Sequence, residues 1–320
     1  MLILNLVFFI VSCFVLVQSS GLVIKALSKI STYFRVNEFA VGFIVVAVST
    51  SLPELFVGVT SAFTGNTDLA LGNVIGANIL NLTLVIGIAV LLSRGIRIRS
   101  SVIKKDFIYM MAVILLPLFL MWDKKLSRFD GLVLIAVFVF YIWQMIRQEH
   151  RFKKSFDFVE KKELRKNILF AFIGLVILMA SANYVVLFAG KLSVDMNLPQ
   201  ILIGLIILSL GTSLPELIID AKAVLAKHQE IAIGDTIGSV VTNSTLVLGV
   251  TALIHPIETD VFFFFTSALF LVIISFVFLT FGESERGISW KEGLSLILLY
   301  VFFIIIQIYI TLLRTVPLAT

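Results

Sequence analysis

Ten predominantly apolar stretches, each of at least 20 residues, follow one another along this 320-residue chain. The hydrocarbon core of a bilayer is about 30 Å thick, so a helix needs about 20 apolar residues to cross it. Only 14% of the residues are charged and the mean hydropathy is +1.09, which excludes a soluble globular domain. We therefore predict an all-α integral membrane protein with ten transmembrane helices, at residues 2–30, 36–64, 68–93, 102–122, 126–147, 166–190, 197–226, 229–254, 260–282 and 289–314.

The excess of basic residues fits a membrane surface better than a nucleic acid. The formal net charge is +5, but the Lys and Arg residues border the apolar stretches, where they face anionic headgroups and set orientation. With the amino terminus outside, 20 of the 25 Lys and Arg residues fall on cytoplasmic segments. We therefore predict a multi-pass protein of the cell membrane with both termini extracytoplasmic, and we expect the lipid bilayer, but neither nucleic acid nor an obligate protein, as its partner.

The single cysteine and the first apolar run exclude two further classes. Cys13 has no second cysteine to pair with, so an intramolecular disulfide and a thiolate metal cluster are both excluded. The run from Leu2 to Val17 has no charged segment before it and no clear cleavage signal after it. We expect it to be a retained first span rather than a signal peptide.

Two segments of the first half of the chain recur in the second half. The phrase at 49–55 reads STSLPEL and returns as GTSLPEL at 211–217, and GNVIGANILNLTLVIG at 72–87 returns as GDTIGSVVTNSTLVLG at 234–249. Both segments are displaced along the chain by the same offset, and five predicted spans separate each segment from its copy. Because five is odd, the copies must cross the membrane in opposite directions, as in alternating-access transporters.

This repeat defines the expected domain organisation. We predict two inverted five-helix repeats, at 1–147 and 166–320, joined by a cytoplasmic linker at 148–165. The basic linker is interpreted as a solvated loop that obeys the positive-inside rule, with binding of anionic lipid as the alternative.

Each repeated phrase places a proline and a glutamate inside an apolar stretch. Pro53 and Pro215 lack an amide hydrogen, so each frees the carbonyl four residues earlier, which costs several kcal/mol in hydrocarbon unless something bonds it. A carboxylate at mid-membrane costs about 2.5–3.5 kcal/mol on insertion scales and persists mainly where it pairs or binds. The alternative, a protonated glutamate bonded to a local hydroxyl, explains one phrase better than two. The pattern therefore predicts a binding site around Glu54 and Glu216.

The groups that the two phrases collect are all oxygen ligands. They are two carboxylates, the freed carbonyls and the hydroxyls of Thr50, Ser51, Thr212 and Ser213. Ca²⁺ accepts six to eight such oxygens in flexible geometry, whereas Mg²⁺ demands a stricter octahedron. The three histidines lie in or beside predicted loops, which argues against zinc, copper or iron. We therefore predict a site for Ca²⁺ or Na⁺.

The second repeated segment carries asparagines and glycines at helical spacing. Asn81 and Asn243 occupy the same position in the two copies. Since an amide in lipid needs partners, we expect both to line the cavity that holds the glutamates. Gly72 and Gly76, like their copies at 234 and 238, form a small-xxx-small pair that permits close helix packing.

One acidic residue has no counterpart in the other half. Asp220 lies one helical turn after Glu216, where the first half has Gly58. We favour a position at the inner membrane interface, near Lys222 and Lys227. The alternative is the lining of a cytoplasmic access path.

The two T-S-L-P-E phrases and the two glycine-rich segments together resemble the calcium/cation antiporters, and among them the prokaryotic sodium/calcium exchanger-like proteins. The resemblance implies that spans two, three, seven and eight enclose ion sites at mid-membrane, while the long spans one and six slide across this core. It also implies secondary antiport of Ca²⁺ against Na⁺ by alternating access, without a cofactor.

The resemblance further implies a set of ligands. Ca²⁺ would be held by Glu54 and Glu216 with the backbone oxygens of Thr50 and Thr212. Sodium ions would share the glutamates and use a second group of residues, namely Ser51, Ser213, backbone oxygens near Ala47 and Ser209, Asn81, Ser239 and Asn243.

Three positions depart from the family's pattern. Ala77 stands where similar proteins often have serine, which removes a hydroxyl from one presumed sodium position. Asn243 stands where some relatives carry aspartate, which changes the charge of the site and leaves the participation of K⁺ open. Asp235 replaces the usual asparagine of a G-N pair and adds a carboxylate without an assigned role.

Three other functions share some of these features. A Ca²⁺/H⁺ antiporter is the closest alternative, because a glutamate in a low dielectric readily takes up a proton. A cation channel also needs a polar path, but inverted repeats with broken helices favour a carrier. An enzyme is not expected, since the chain has neither an H-E-x-x-H motif nor a repeated aspartate pair.

Overall fold

The computed structural model describes residues 1–33, 48–98, 101–148, 161–259, 261–283 and 287–315. Within these residues the fold is almost entirely helical. Eight helical segments are long and apolar enough to cross a membrane, or nine if one bent pair counts as a single span.

The helices of the first half follow the predicted spans closely. They are α1 (Leu2–Tyr33), α2 (Leu52–Thr64), α3 (Thr67–Leu80) with a π-helical turn (Asn81–Val85) leading into α4 (Ile86–Ser93), α5 (Ser101–Leu120) and α6 (Arg128–Gln148). α2 covers the second part of the second predicted span, whose first part lies outside the described residues.

The second half shows the same order of helices. They are α7 (Lys161–Met196), α8 (Gln200–Ile203) with a π-helical turn (Gly204–Leu208) leading into α9 (Ser209–Thr212), α10 (Leu214–Leu225), α11 (Gln229–Thr242) with a π-helical turn (Asn243–Val247) leading into α12 (Leu248–Ile254), α13 (Val261–Glu283) and α14 (Trp290–Thr315). The bent pair is the run from α8 to α9 followed by α10, which corresponds to the seventh predicted span. The count of ten spans and their inversion stay predictions.

Four very short strands occur between helices of the described residues, and each pairs with a strand of the other half of the chain. β1 (Gly95–Ile96) pairs antiparallel with β4 (Ile288–Ser289), and β2 (Lys125–Leu126) pairs with β3 (Ile257–Glu258). β3 is displaced from β1 by the offset of the sequence repeat, and β4 is displaced from β2 by nearly the same amount. Lys125 also forms a 2.8 Å ion pair with Glu258, and this hydrogen-bonded ammonium holds the pKa of the exposed Glu258 carboxyl below its ordinary value.

The spans differ sharply in how deeply they are enclosed. In the most apolar part of Thr67–Ser93, 83% of the residues are buried, and in that of Gln229–Ile254 the share is 78%, against 33% for the spans in α1 and α7. α1 and α7 lie side by side, joined by an apolar cluster that includes Cys13, Leu16 and Leu178. The two repeated segments therefore form the centre of the protein, and α1 and α7 lie at its periphery with large apolar side chains facing outward.

Glycines allow α3 to cross the run from α8 to α9 with the two backbones in contact. A Cβ added to Gly72 or Gly76 would overlap the backbone carbonyl of Ile201 or Leu205, respectively. On the other side of the crossing, a Cβ on Gly204 would press against backbone atoms of α3. The prediction of close helix packing is confirmed for Gly72 and Gly76, and this contact brings the two halves together beside the repeated phrases.

Gly76→Ala should destabilise the protein, because the added methyl meets a backbone oxygen that has no room to move. Overpacking of this kind costs about 1–3 kcal/mol. Gly190→Ala in α7 is the matched control, since a Cβ there meets nothing within 4 Å, and alanine favours a helix by about 1 kcal/mol over glycine. Thermal unfolding of the purified variants should give a lower midpoint for Gly76→Ala only; equal midpoints would contradict the crossing.

Candidate cation-binding site

Both repeated phrases interrupt a helix three residues before the glutamate. Ser213 (φ −87°, ψ 9°) separates α9 from α10, and the two parts meet at an angle of 43°. Ser51 has nearly the same backbone geometry (φ −78°, ψ 5°) just before α2. Each proline falls at the start of the new helix, where its missing amide hydrogen costs nothing, so Glu54 and Glu216 lie in the first turns of α2 and α10. The positive end of the helix dipole there favours a carboxylate.

The two glutamates are buried and their carboxylates are incompletely bonded. Glu54 is 0% exposed and Glu216 is 1% exposed. Glu54 Oε1 accepts a 3.4 Å hydrogen bond from the hydroxyl of Ser213 on the other half of the chain. Among the described residues, Glu54 Oε2 and both carboxylate oxygens of Glu216 have no hydrogen-bond partner. The Ser213–Glu54 bond therefore joins the two repeated phrases directly.

The threonines of the two phrases make equivalent contacts across the centre of the protein. Thr50 Oγ1 donates to Asp235 Oδ1 at 3.1 Å, and Thr212 Oγ1 donates to Asn73 Oδ1 at 3.1 Å. Asn73 and Asp235 occupy the same position in the two copies of the repeat, so one contact is the copy of the other. These bonds fix each threonine beside the helix break. The two repeated segments thus hold each other in register.

The site is not symmetric where the sequence departs from the repeat. Thr50 also lies 3.1 Å from the hydroxyl of Ser239, whereas the first copy of the repeat has Ala77 at the equivalent position. The second half therefore supplies a hydroxyl that the first half lacks.

Asn81 and Asn243 each begin a π-helical turn, a feature that the sequence analysis did not predict. Both are 0% exposed, and within the described part of the chain neither polar atom of either amide has a hydrogen-bond partner. Thr83 and Thr245, two residues further on, donate to the carbonyl four residues before them. Such turns often occur at functional sites.

The remaining predicted ligands have different surroundings. Ser51 is buried with its hydroxyl unpartnered among the described residues. Ser209 is buried and its hydroxyl donates to the carbonyl of Leu205 at 2.7 Å. Ala47 lies outside the described residues.

Asp220, for which the sequence favoured the inner membrane interface, is enclosed by protein. The side chain is 0% exposed, and Asp220 Oδ2 accepts a 3.2 Å hydrogen bond from the hydroxyl of Thr236. Thr236 is the residue after Asp235 on α11, so this bond ties Asp220 to the helix that carries Asp235. The sequence alone does not show which face of α10 turns toward α11, so it did not predict this burial.

Buried acidic groups dominate the electrostatics of this centre. Glu54, Glu216, Asp220 and Asp235 are all at most 1% exposed, and none forms an ion pair with a basic side chain in the described ranges. In the same ranges, no three side chains of His, Cys, Asp or Glu converge on one point. A cation here would therefore need hydroxyl, amide or backbone oxygens in addition to a carboxylate pair, which is the chemistry of Ca²⁺ and Na⁺ sites.

Curated relatives cover almost the whole chain. The putative antiporter CaxA of Alkalimonas amylolytica is 28% identical over 310 residues, which are 92% of this chain and 96% of that protein. The sodium/calcium exchanger MaX1 of Methanosarcina acetivorans is 25% identical over an alignment that covers 97% of this chain and 100% of that protein.

A solved structure and a family model agree with these relatives. A structure of the sodium-calcium exchanger NCX_Mj has a TM-score of 0.69 at 23% identity, and it covers 95% of this chain and 99% of that chain, so the two share a fold. The family model described as "Sodium/calcium exchanger protein" matches residues 4–147 and 166–309. The chain is a multi-pass membrane protein that belongs to the sodium/calcium exchanger family.

Proposed function

We propose that this protein exchanges Ca²⁺ for Na⁺ across the membrane by alternating access, with Glu54 and Glu216 shared by the competing cations. Its family is one of exchangers, which are cation antiporters rather than enzymes. The observation that carries the proposal is the pair of buried glutamates at two helix breaks, with three of their four oxygens unpartnered among the described residues.

Coupling follows from the charge of this pair. Two carboxylates in a dry interior carry a desolvation penalty of several kcal/mol each unless a cation or proton compensates them. One Ca²⁺ or a set of Na⁺ ions supplies that compensation, and both need the same oxygens. Since the uncompensated pair is unfavourable, one ion leaves as the other arrives.

The proposed ligands extend the glutamate pair with neutral oxygens. For Ca²⁺ these are the backbone oxygens of Thr50 and Thr212, whose side chains are held in place by Asp235 and Asn73. For Na⁺ the further ligands are Ser51, Ser213, Ser209, Ala47, Asn81, Ser239 and Asn243.

The proposed architecture has ten spans in two inverted repeats, at 1–147 and 166–320, joined by the linker at 148–165, with both termini outside. The π-helical turns at equivalent positions of the two copies and the reciprocal strand pairs support the repeat. α1 contacts α9 and α10, and α7 contacts α2, so this outer pair borders both broken helices. We propose that it slides across the core to open the site to one side at a time.

A Ca²⁺/H⁺ antiporter is the second candidate, and two features of the site favour it. Ala77 leaves one presumed sodium position without a hydroxyl. Asp220 and Asp235 add buried carboxylates, groups that bind protons as well as metals.

The driving ion can be tested by uptake of radiolabelled calcium into vesicles that contain the purified protein. Na⁺ loaded inside and diluted outside should drive uptake, because outward Na⁺ movement frees the glutamates for Ca²⁺. A pH gradient without Na⁺ should drive none. Calcium uptake under the pH gradient alone would show that the proton, and not Na⁺, is the driving ion. Calcium flux with neither gradient would indicate a channel.

Glu54→Gln and Glu216→Gln should each abolish calcium exchange. Each change keeps the shape of the side chain but removes a charge that ligates the ion. Since outer-shell changes alone cost about 10–100-fold in metal affinity, loss of a ligating charge should reduce exchange by more than ~100-fold. Glu258→Gln is the matched control, because that exposed carboxylate lies in β3, away from the site. Exchange retained in both core variants would refute the assignment.

A further inference from the structure

Two carboxylates in the centre of the protein belong to the second half alone. Asp220 lies on α10, one helical turn beyond Glu216, and Asp235 lies on α11. The corresponding residues of the first half are Gly58 and Asn73. The duplicated backbone therefore forms without acidic side chains at these positions, and packing does not require them.

The side chains of Asp220 and Asp235 lie in one region, and each has one oxygen without a hydrogen-bond partner among the described residues. Asp220 Oδ2 accepts from Thr236 at 3.2 Å, and Asp235 Oδ1 accepts from Thr50 at 3.1 Å. Asp220 Oδ1 and Asp235 Oδ2 have no hydrogen-bond partner in the described part of the chain, and both residues are at most 1% exposed. Thr236, which bonds Asp220, is the residue after Asp235 on α11, so both carboxyl groups belong to one small polar cluster.

The charge of this cluster is not balanced by the central ion. Asp220 lies one helical turn from Glu216 on α10, so a Ca²⁺ that neutralises the two glutamates leaves a second acidic pair beside it. Removing a carboxylate pair from water without a counter-charge is strongly unfavourable. Among the described residues no basic side chain forms an ion pair with either aspartate.

We propose that Asp220 and Asp235 hold a second hard cation, at the same time as the glutamate pair holds its own. The oxygens of this subsite are the two carboxylates and the hydroxyl of Thr236, which suit Na⁺ or Ca²⁺ rather than a transition metal. The subsite lies one turn along α10 from Glu216, toward the end of that helix at Leu225. The proposal rests on the proposed function for the central pair and adds one cation to the number bound per chain.

The test is the number of cations bound per chain at equilibrium, measured on the purified full-length protein with radiolabelled Na⁺ alone and with radiolabelled Ca²⁺ alone. The variants are Asp235→Asn, Asp220→Asn and the two combined. Asp123→Asn, an exposed carboxylate outside the core, is the matched control. Size-exclusion chromatography checks that each variant is folded, and the single variants decide the result if the double variant aggregates.

We expect the aspartate variants to bind one cation fewer than the wild type in one of the two arms, and that arm identifies the ion. The control should bind the wild-type number. The double variant Glu54→Gln, Glu216→Gln should lose the central ion and keep the cation bound by the aspartate pair. An unchanged number of bound cations in every folded aspartate variant would overturn the second subsite, because it would mean that the two carboxyl groups merely share a proton. That result would leave the proposal for the central site intact. Calcium exchange retained by the glutamate variants would instead refute the proposed function.

Discussion

A carboxylate in the middle of a membrane-spanning helix is unfavourable unless something compensates its charge, and this chain buries two at equivalent places. The compensation begins with the backbone, because the break at Ser51 and at Ser213 turns each glutamate into a first-turn residue of a new helix. A helix start offers free amide hydrogens and a positive dipole end. These groups reduce the cost without removing it, since three of the four glutamate oxygens have no hydrogen-bond partner in the described residues.

The rest of the core positions these two helix starts against each other. Gly72, Gly76 and Gly204 allow the backbones of α3 and the run from α8 to α9 to touch, which leaves little space beside the breaks. The hydrogen bonds of Thr50 and Thr212 then fix the breaks to the neighbouring repeated segments. Packing and polar contacts thus define one enclosed cluster of oxygens, while α1 and α7, which face outward along one side, are free of this constraint.

Sequence analysis predicted the features that depend on the bilayer and on the repeat. Segment length located the spans, and the constant offset paired Glu54 with Glu216. The sequence did not predict two features that depend on packing between helices. These are the π-helical turns at Asn81 and Asn243 and the burial of Asp220. In a π-helical turn the backbone hydrogen bonds span five residues instead of four, which leaves little trace in hydropathy. The burial of a side chain depends on which face of its helix meets a neighbour. The ligand set of the ions stays a prediction.

The most direct measurement is a crystal structure of the protein soaked with Sr²⁺, an anomalous scatterer that takes the oxygen ligands of Ca²⁺. We expect an anomalous peak between Glu54 and Glu216, within ligating distance of a carboxylate oxygen from each. A strontium peak that only one of the two glutamates reaches, or no peak near either at saturating Sr²⁺, would contradict it.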